Sequence, residues 1–335
     1  MSLNRRIPLL LVCYVLFLFA CIKTEQSKKV SSNSEHAELE RLNQLISQHP
    51  DVDSFYFMRG LYNFNIEAYE LAIEDFQMAL KIDSTRQPIY YFYLSDAHLY
   101  NLQSRDASQV MDKAMSLFPN HAETILRSAR LRLVLKQYIP AMTVLDKLFV
   151  RDPQNAKAYL LAGQIFYEMG DTGRAVNAYQ KAVDFNPELR EGWIRLGELL
   201  CELGTIKCIP YFDNAIRMDS LDPEVYHKKA FCYAQLGKQK EAIESYRSNI
   251  IRFPAYEPSF YNLGLLYLEM DSLDLALEHF MISVQINPAE ASSYYQRGIV
   301  YQKMKKSQEA KNDFQKALQL DSSLIEARQA LNLIK

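Results

Sequence analysis

Apolar residues recur along this chain at helical spacing, and the pattern itself recurs every 34 positions. Within 257–290, Leu263, Gly264, Tyr267 and Leu268 fall on one face of a first helix, and Ala276, Phe280 and Ser283 on one face of a second. Residues 291–324 restate the unit: Gly264 recurs as Gly298, Tyr267 as Tyr301, Ala276 as Ala310 and Phe280 as Phe314. A fixed period in this range predicts helical hairpins that stack on one another, so that each touches mainly its neighbours.

Three columns run back through the chain. A small first-helix residue appears as Gly60, Ser95, Ala129, Gly163, Gly197, Ala230, Gly264 and Gly298. The alanine expected to face it runs Ala72, Ala107, Ala141, Ala175, Cys208, Ala242, Ala276 and Ala310. A bulky second-helix residue runs Phe76, Met111, Leu145, Tyr179, Phe212, Tyr246, Phe280 and Phe314. Each unit opens on an aromatic (Tyr56, Tyr91, Tyr159, Trp193, Tyr226, Phe260, Tyr294), with Ile125 the exception, and prolines 119, 153, 187, 254 and 288 stop five second helices.

This order of aromatic, small residue, alanine, bulky residue and proline resembles the tetratricopeptide repeat. The resemblance implies an all-α, right-handed α-solenoid of about eight hairpins, at 53–86, 88–121, 122–155, 156–189, 190–222, 223–256, 257–290 and 291–324. Capping helices are expected at 35–50, with Leu39, Leu42, Leu45 and Ile46, and at 325–335. One repeat breaks the rule: Gly197 to Ala230 is 33 residues, and Pro210 stands inside a second helix. That helix is expected to start late, near 208–210, after a loop at 204–207 that forms a hinge.

In the family the first helices line a groove that binds peptide or a partner's helix. Projected onto this chain, the resemblance implies a groove containing Phe57, Phe92, Asp96, Arg130, Gln164, Tyr167, Glu198, His227, Phe231, Tyr261 and Tyr295. Aromatic anchors of this kind supply the largest increments of binding energy. Asp96 and Arg130 are placed to pair across adjacent repeats. The Lys and Asn clamp by which chaperone-binding members hold a C-terminal carboxylate is missing.

Residues 1–21 have the layout of a secretion signal, with Arg5 and Arg6 ahead of an apolar run from 7 to 20, then Cys21. The ending resembles a bacterial lipobox, which implies diacylation of Cys21, a polar tether at 22–34 and a place in the cell envelope, on the outer membrane facing the periplasm. Charge and chemistry narrow the function classes. Lys and Arg total 38 against 40 acidic residues, which gives no field for nucleic acid. His36, His49, His98, His121, His227 and His279 show no metal-ligand spacing, and no phosphate loop or nucleophile elbow occurs, so no metal, cofactor or catalysis is expected. Cys201 and Cys208 flank the 204–207 loop; Cys208 takes the small column, Cys201 is expected to face away, and Cys232 has no evident mate, so free thiols are expected. The chain reads as an envelope-anchored scaffold that binds a protein or peptide segment. The alternative is a surface lipoprotein that captures glycan on groove aromatics.

Overall fold

The computed structural model describes residues 37–85 and 87–334; the signal segment, Cys21, the tether and His36 lie outside them. Among the described residues the chain is built of helices, with no strand. They fall into two units, one ending at Arg151 and one beginning at Asp152. The first contains α1 (37–48), α2 (Asp53–Asn65), α3 (Tyr69–Ile82), α4 (Pro88–Tyr100), α5 (Ser104–Leu117), α6 (Ala122–Val134) and α7 (Tyr138–Arg151). The second contains α8 (Ala156–Glu168), α9 (Thr172–Phe185), α10 (Arg190–Glu202), α11 (Ile209–Met218), α12 (Pro223–Gln235), α13 (Gln239–Arg252), α14 (Glu257–Glu269), α15 (Leu273–Ile286), α16 (Ala291–Lys303), α17 (Ser307–Leu320) and α18 (Ile325–Leu333).

Helices pair in sequence order, and within each unit successive first helices also touch: α2 with α4 and α4 with α6, then α10 with α12, α12 with α14 and α14 with α16. Each pair turns through one residue with left-handed backbone. Three of these are glycine (Gly170, Gly204, Gly237) and five are Glu67, Leu102, Lys136, Asp271 and Lys305, at φ between 54° and 62°. The turn thus accepts side chains that carry a steric cost in that conformation.

The small column does not face the alanine column, as the sequence pattern suggests, but the bulky one. A Cβ at Gly60 would lie 2.6 Å from the Phe76 ring, at Gly163 2.4 Å from Tyr179, at Gly264 2.9 Å from Phe280 and at Gly298 2.6 Å from Phe314. The reason is register: the ring stands one turn after the alanine and reaches across the hairpin into the notch the glycine leaves. The alanines are themselves fully buried. A second buried column follows two residues after the small one: Ala97, Leu131, Ile165, Leu199, Cys232, Leu266 and Val300. Within each unit its members pack back onto the preceding hairpin, as Ala97 does on Ala72 and Phe76, and Val300 on Ala276 and Phe280.

Ion pairs brace the end hairpins. Arg59 grips the buried Asp75 at 2.6 Å, and Arg297 grips Asp313 at 2.7 Å, each Arg one residue before the small column and each Asp one before the ring. In hairpin five a 3-10 turn at Ile206–Cys208 precedes α11, which has 10 residues where other second helices have 14. Pro210 sits in the first turn of α11, where it withholds no needed N–H. Helix α1 buries Leu42 and lays Ile46 on Tyr56 and Tyr90. Helix α18 covers Phe314 and Tyr295 with Ala330, Leu331 and Ile334.

Candidate functional site

Among the described residues, each unit has an open cleft between first helices. The smaller, about 240 Å³, lies between α4 and α6 and is lined by Asp96, Leu99, Tyr100, Arg127, Arg130 and Val134 among others. The larger, about 460 Å³, lies between α10 and α12 and is lined by Arg190, Glu191, Ile194, Arg195, Glu198, Asp222, Glu224, Val225 and Lys228. In each, most of the lining side chains come from two consecutive first helices.

In the first cleft Asp96 pairs with Arg127 at 2.9 Å, not with Arg130, which stands one turn further along α6 and is exposed. Arg127 is also held by Glu123 at 3.3 Å and lies over the Phe92 ring, 5.1 Å from its centroid. Burial lifts the Asp96 carboxyl above its usual range despite the guanidinium beside it. Arg130 makes no close ion pair among the described residues, although its charge acts through space on Asp96.

The second cleft is a network of opposed charges. Glu198 accepts from Lys228 at 2.7 Å and from Arg195 at 3.2 Å, Lys228 also meets Glu224 at 2.9 Å, and Arg190 holds Asp222 at 2.8 Å. The Nε of Arg195 is buried without a hydrogen bond; its nearest carboxylate, on Glu191, is 3.6 Å away. Partners on both sides raise the Lys228 pKa against the opposing effect of burial. Beside this cleft Tyr167, 40% exposed, donates to the Glu202 carboxylate at 3.0 Å, which raises the phenol's pKa.

The aromatic row the sequence assigns to the groove is turned largely into the hairpins. Phe57 lies against Phe76 (5.5 Å between centroids), His227 against Tyr246 (5.5 Å), Tyr261 against Phe280 (5.8 Å) and Tyr295 against Phe314 (5.9 Å). Phe92 is only 5% exposed, covered by Arg127 and His121. These residues stand three positions before the small column, one helical turn away on the same face, so they meet the bulky residue that fills the notch, a ring in every case but Phe92, which meets Met111. Phe231 is 43% exposed and Gln164 half-buried. His227 is neutral: Asn262 donates to its Nε2 (3.3 Å), its Nδ1–H faces Ser259 Oγ (3.4 Å), and burial with Lys228 nearby pushes its pKa down to about 4.

Two groupings escape sequence reading. Phe64, Tyr69, Tyr93 and Tyr100 form an aromatic cluster at one edge of the first unit, with Tyr69 and Tyr100 stacked at 5.5 Å and Tyr100 61% exposed. The three described cysteines meet as well: Cys232 lies 2.7 Å from Cys208, and all three sulfurs lie within 4.8 Å of one another, so Cys201 does not face away and Cys232 has mates. The contact between the two thiols lowers the Cys208 pKa and raises that of Cys232, while burial raises Cys201. The signal was the second buried column, whose member in hairpin six is Cys232.

Profiles described as tetratricopeptide repeat match residues 39–86, 156–189, 223–248, 257–290 and 291–324, together more than half of the chain. The chain is 25% identical over 198 residues to a TPR repeat-containing protein of Methanocaldococcus jannaschii, across 56% of this chain and 34% of that one. It is 22% identical over 209 residues to the protein FlbA of Caulobacter vibrioides, across 61% and 35%. It therefore spans about a third of the length of these curated relatives. The C-terminal part of a TPR repeat-containing protein from Cytophaga hutchinsonii superposes with a TM-score of 0.55 at 18% identity, over 72% of this chain and 99% of that one. A tetratricopeptide repeat protein from Parabacteroides merdae gives 0.53 at 17%, over 74% and 98%. At these identities the superpositions show the fold.

Proposed function

The chain belongs to the tetratricopeptide repeat family, generally non-enzymatic scaffolds that bind protein or peptide partners, and from that premise we propose that its two first-helix clefts hold segments of a protein partner. The observation that carries this reading is the pair of open clefts, floored by side chains from adjacent first helices and rimmed with charge. In the first cleft the exposed Arg130 meets a carboxylate of the partner, while Leu99 and Val134 take an apolar side chain. In the second, a partner's ionic groups exchange with the Glu198 and Lys228 pairs, so affinity weakens with salt. The near balance of charge over the chain speaks against a polyanion such as nucleic acid as partner. The test is partner recovery by the wild type, Arg130→Glu and Glu198→Lys, with helicity checked for each. Loss of the same partner in both variants supports the reading, and full recovery in both contradicts it.

The layout of residues 5–21 supports a place at the cell envelope, with a lipid on Cys21 holding the scaffold at a membrane where an envelope complex is assembled. Among the described residues no helix is long and apolar enough to cross a membrane. Cys21→Ser releases the protein from the membrane fraction; retention there contradicts the lipid anchor. A second reading is favoured by the stacked Tyr69 and Tyr100 pair, a platform of the kind that receives a sugar face. Calorimetry against oligosaccharides, with Tyr100→Ala as control, separates it from peptide binding.

A further inference from the structure

The three cysteines occupy positions that other hairpins fill with apolar side chains. The residue four after the small column, the alanine column and the second buried column of the next hairpin are Phe64, Ala72 and Ala97 at the first hairpin. They are Leu99, Ala107 and Leu131 at the second, and Leu268, Ala276 and Val300 at the seventh. At the fifth all three are cysteine: Cys201 on α10, Cys208 at the end of the 3-10 turn and Cys232 on α12. Packing alone asks for none of them, because alanine, leucine and valine fill the same places elsewhere in the chain.

Their geometry suits a small soft ion. Three sulfurs in a plane, each about 2.3 Å from a central ion, stand about 4.0 Å from one another. That spacing lies between the 2.7 Å separating Cys208 from Cys232 and the 4.8 Å that bounds the group, so side-chain rotation of about an ångström suffices. The surroundings are apolar: Ile209, Phe212, Val225, Trp193 and Leu200 pack against Cys208 and Cys232. Cys201 is the half-exposed member and gives the way in. No histidine or carboxylate joins the group among the described residues, so the four protein ligands of a structural zinc site are not assembled. Sulfur ligands select monovalent copper among the common ions.

We infer that Cys201, Cys208 and Cys232 form a three-sulfur site for monovalent copper, separate from the clefts. On binding, two thiols lose their protons to solvent and the third coordinates as thiol or thiolate; no electron is exchanged. Trp193, the only tryptophan of the chain, packs against this cluster and reports on it.

The experiment titrates the reduced full chain, without oxygen, with monovalent copper held by a chromophoric chelator. The expected result is transfer of one ion per chain, a new thiolate-to-metal absorption band and quenching of Trp193. Cys208→Ala restores the residue found at that position in the other repeats, so it is expected to fold, and with two sulfurs left it is expected to give its copper up to the chelator; Cys232→Val, which copies Val300, behaves alike. The inference is overturned if copper stays with the chelator, if Cys208→Ala takes it as well as the wild type, if zinc displaces it at equal concentration, or if Cys208 and Cys232 are isolated as a disulfide.

Discussion

Replacing Gly163 by alanine tests the hairpin interior most sharply. The added Cβ would lie 2.4 Å from Cδ1 and 2.5 Å from Cε1 of Tyr179, where carbon atoms ordinarily rest at about 3.5–4.0 Å, so ring and helix must part by about an ångström. Tyr179 is 3% exposed among Ala175, Ala182 and Leu196 and has nowhere to swing. Overpacking of this kind costs about 1–3 kcal/mol. Alanine returns about 1 kcal/mol over glycine in a helix interior. The net is a loss of about 1 kcal/mol. Gly197→Ala makes a useful contrast, because its Cβ would meet Phe212 at 3.0–3.2 Å and needs only a few tenths of an ångström, so it is near neutral. In a Tyr179→Leu background, which copies the Ala129 and Leu145 pair of hairpin three, Gly163→Ala turns stabilising by up to about 1 kcal/mol. Trp193 fluorescence follows this region directly, since it packs on the same cluster, and a local probe matters because repeat arrays need not unfold in one step. A Gly163→Ala chain as stable as wild type with Tyr179 in place, or one that shows no coupling to Tyr179→Leu, would refute this packing.

Other outcomes follow from single features. Leu102→Gly, at φ 60° and 92% exposed, is expected to stabilise the first unit by about 0.5–1 kcal/mol on chemical denaturation; any loss contradicts the account of the turns. His227 is held neutral with a pKa of about 4, below its free value near 6.5, so the unfolded chain binds the proton more readily and stability falls as pH drops from about 6.5 toward 4. That loss is about 2 kcal/mol between pH 7 and pH 5, and His227→Phe should flatten the Trp193-detected stability profile there. Arg59→Ala leaves the buried Asp75 carboxylate with only Asn63 donating to it and is expected to cost about 2–3 kcal/mol, read as a lower denaturation midpoint of the first unit. Amide exchange over 204–212 should be faster than over 240–248, where the second helix is full length; equal protection would remove the hinge.

The period made the fold readable, because every repeat solves the same packing problem and each solution restates the columns. What the period could not convey is which columns meet. The small residue and the alanine look paired by size, yet the ring one turn beyond the alanine fills the notch at Gly163 and Gly298. The same offset laid Phe57, Tyr261 and Tyr295 on the rings of their own hairpins, with Phe57 also stacked on Tyr90 of the next hairpin and Tyr295 covered by α18. Asp96 was legible as a cleft residue, but its partner is Arg127, one turn before the expected Arg130 on the same helix. The cysteine cluster was hidden for a further reason: Cys208 and Cys232 belong to successive hairpins, and their approach depends on a buried column that only the stack defines.

Whether partners engage the first-helix clefts is tested directly by photo-crosslinkers placed in cells at Arg130 and Glu191, and at exposed Lys147 and Lys311 on second helices. The expected result is the same protein adduct from both cleft positions and none from the second-helix positions. Adducts of equal yield from all four, or from the second helices alone, would contradict it.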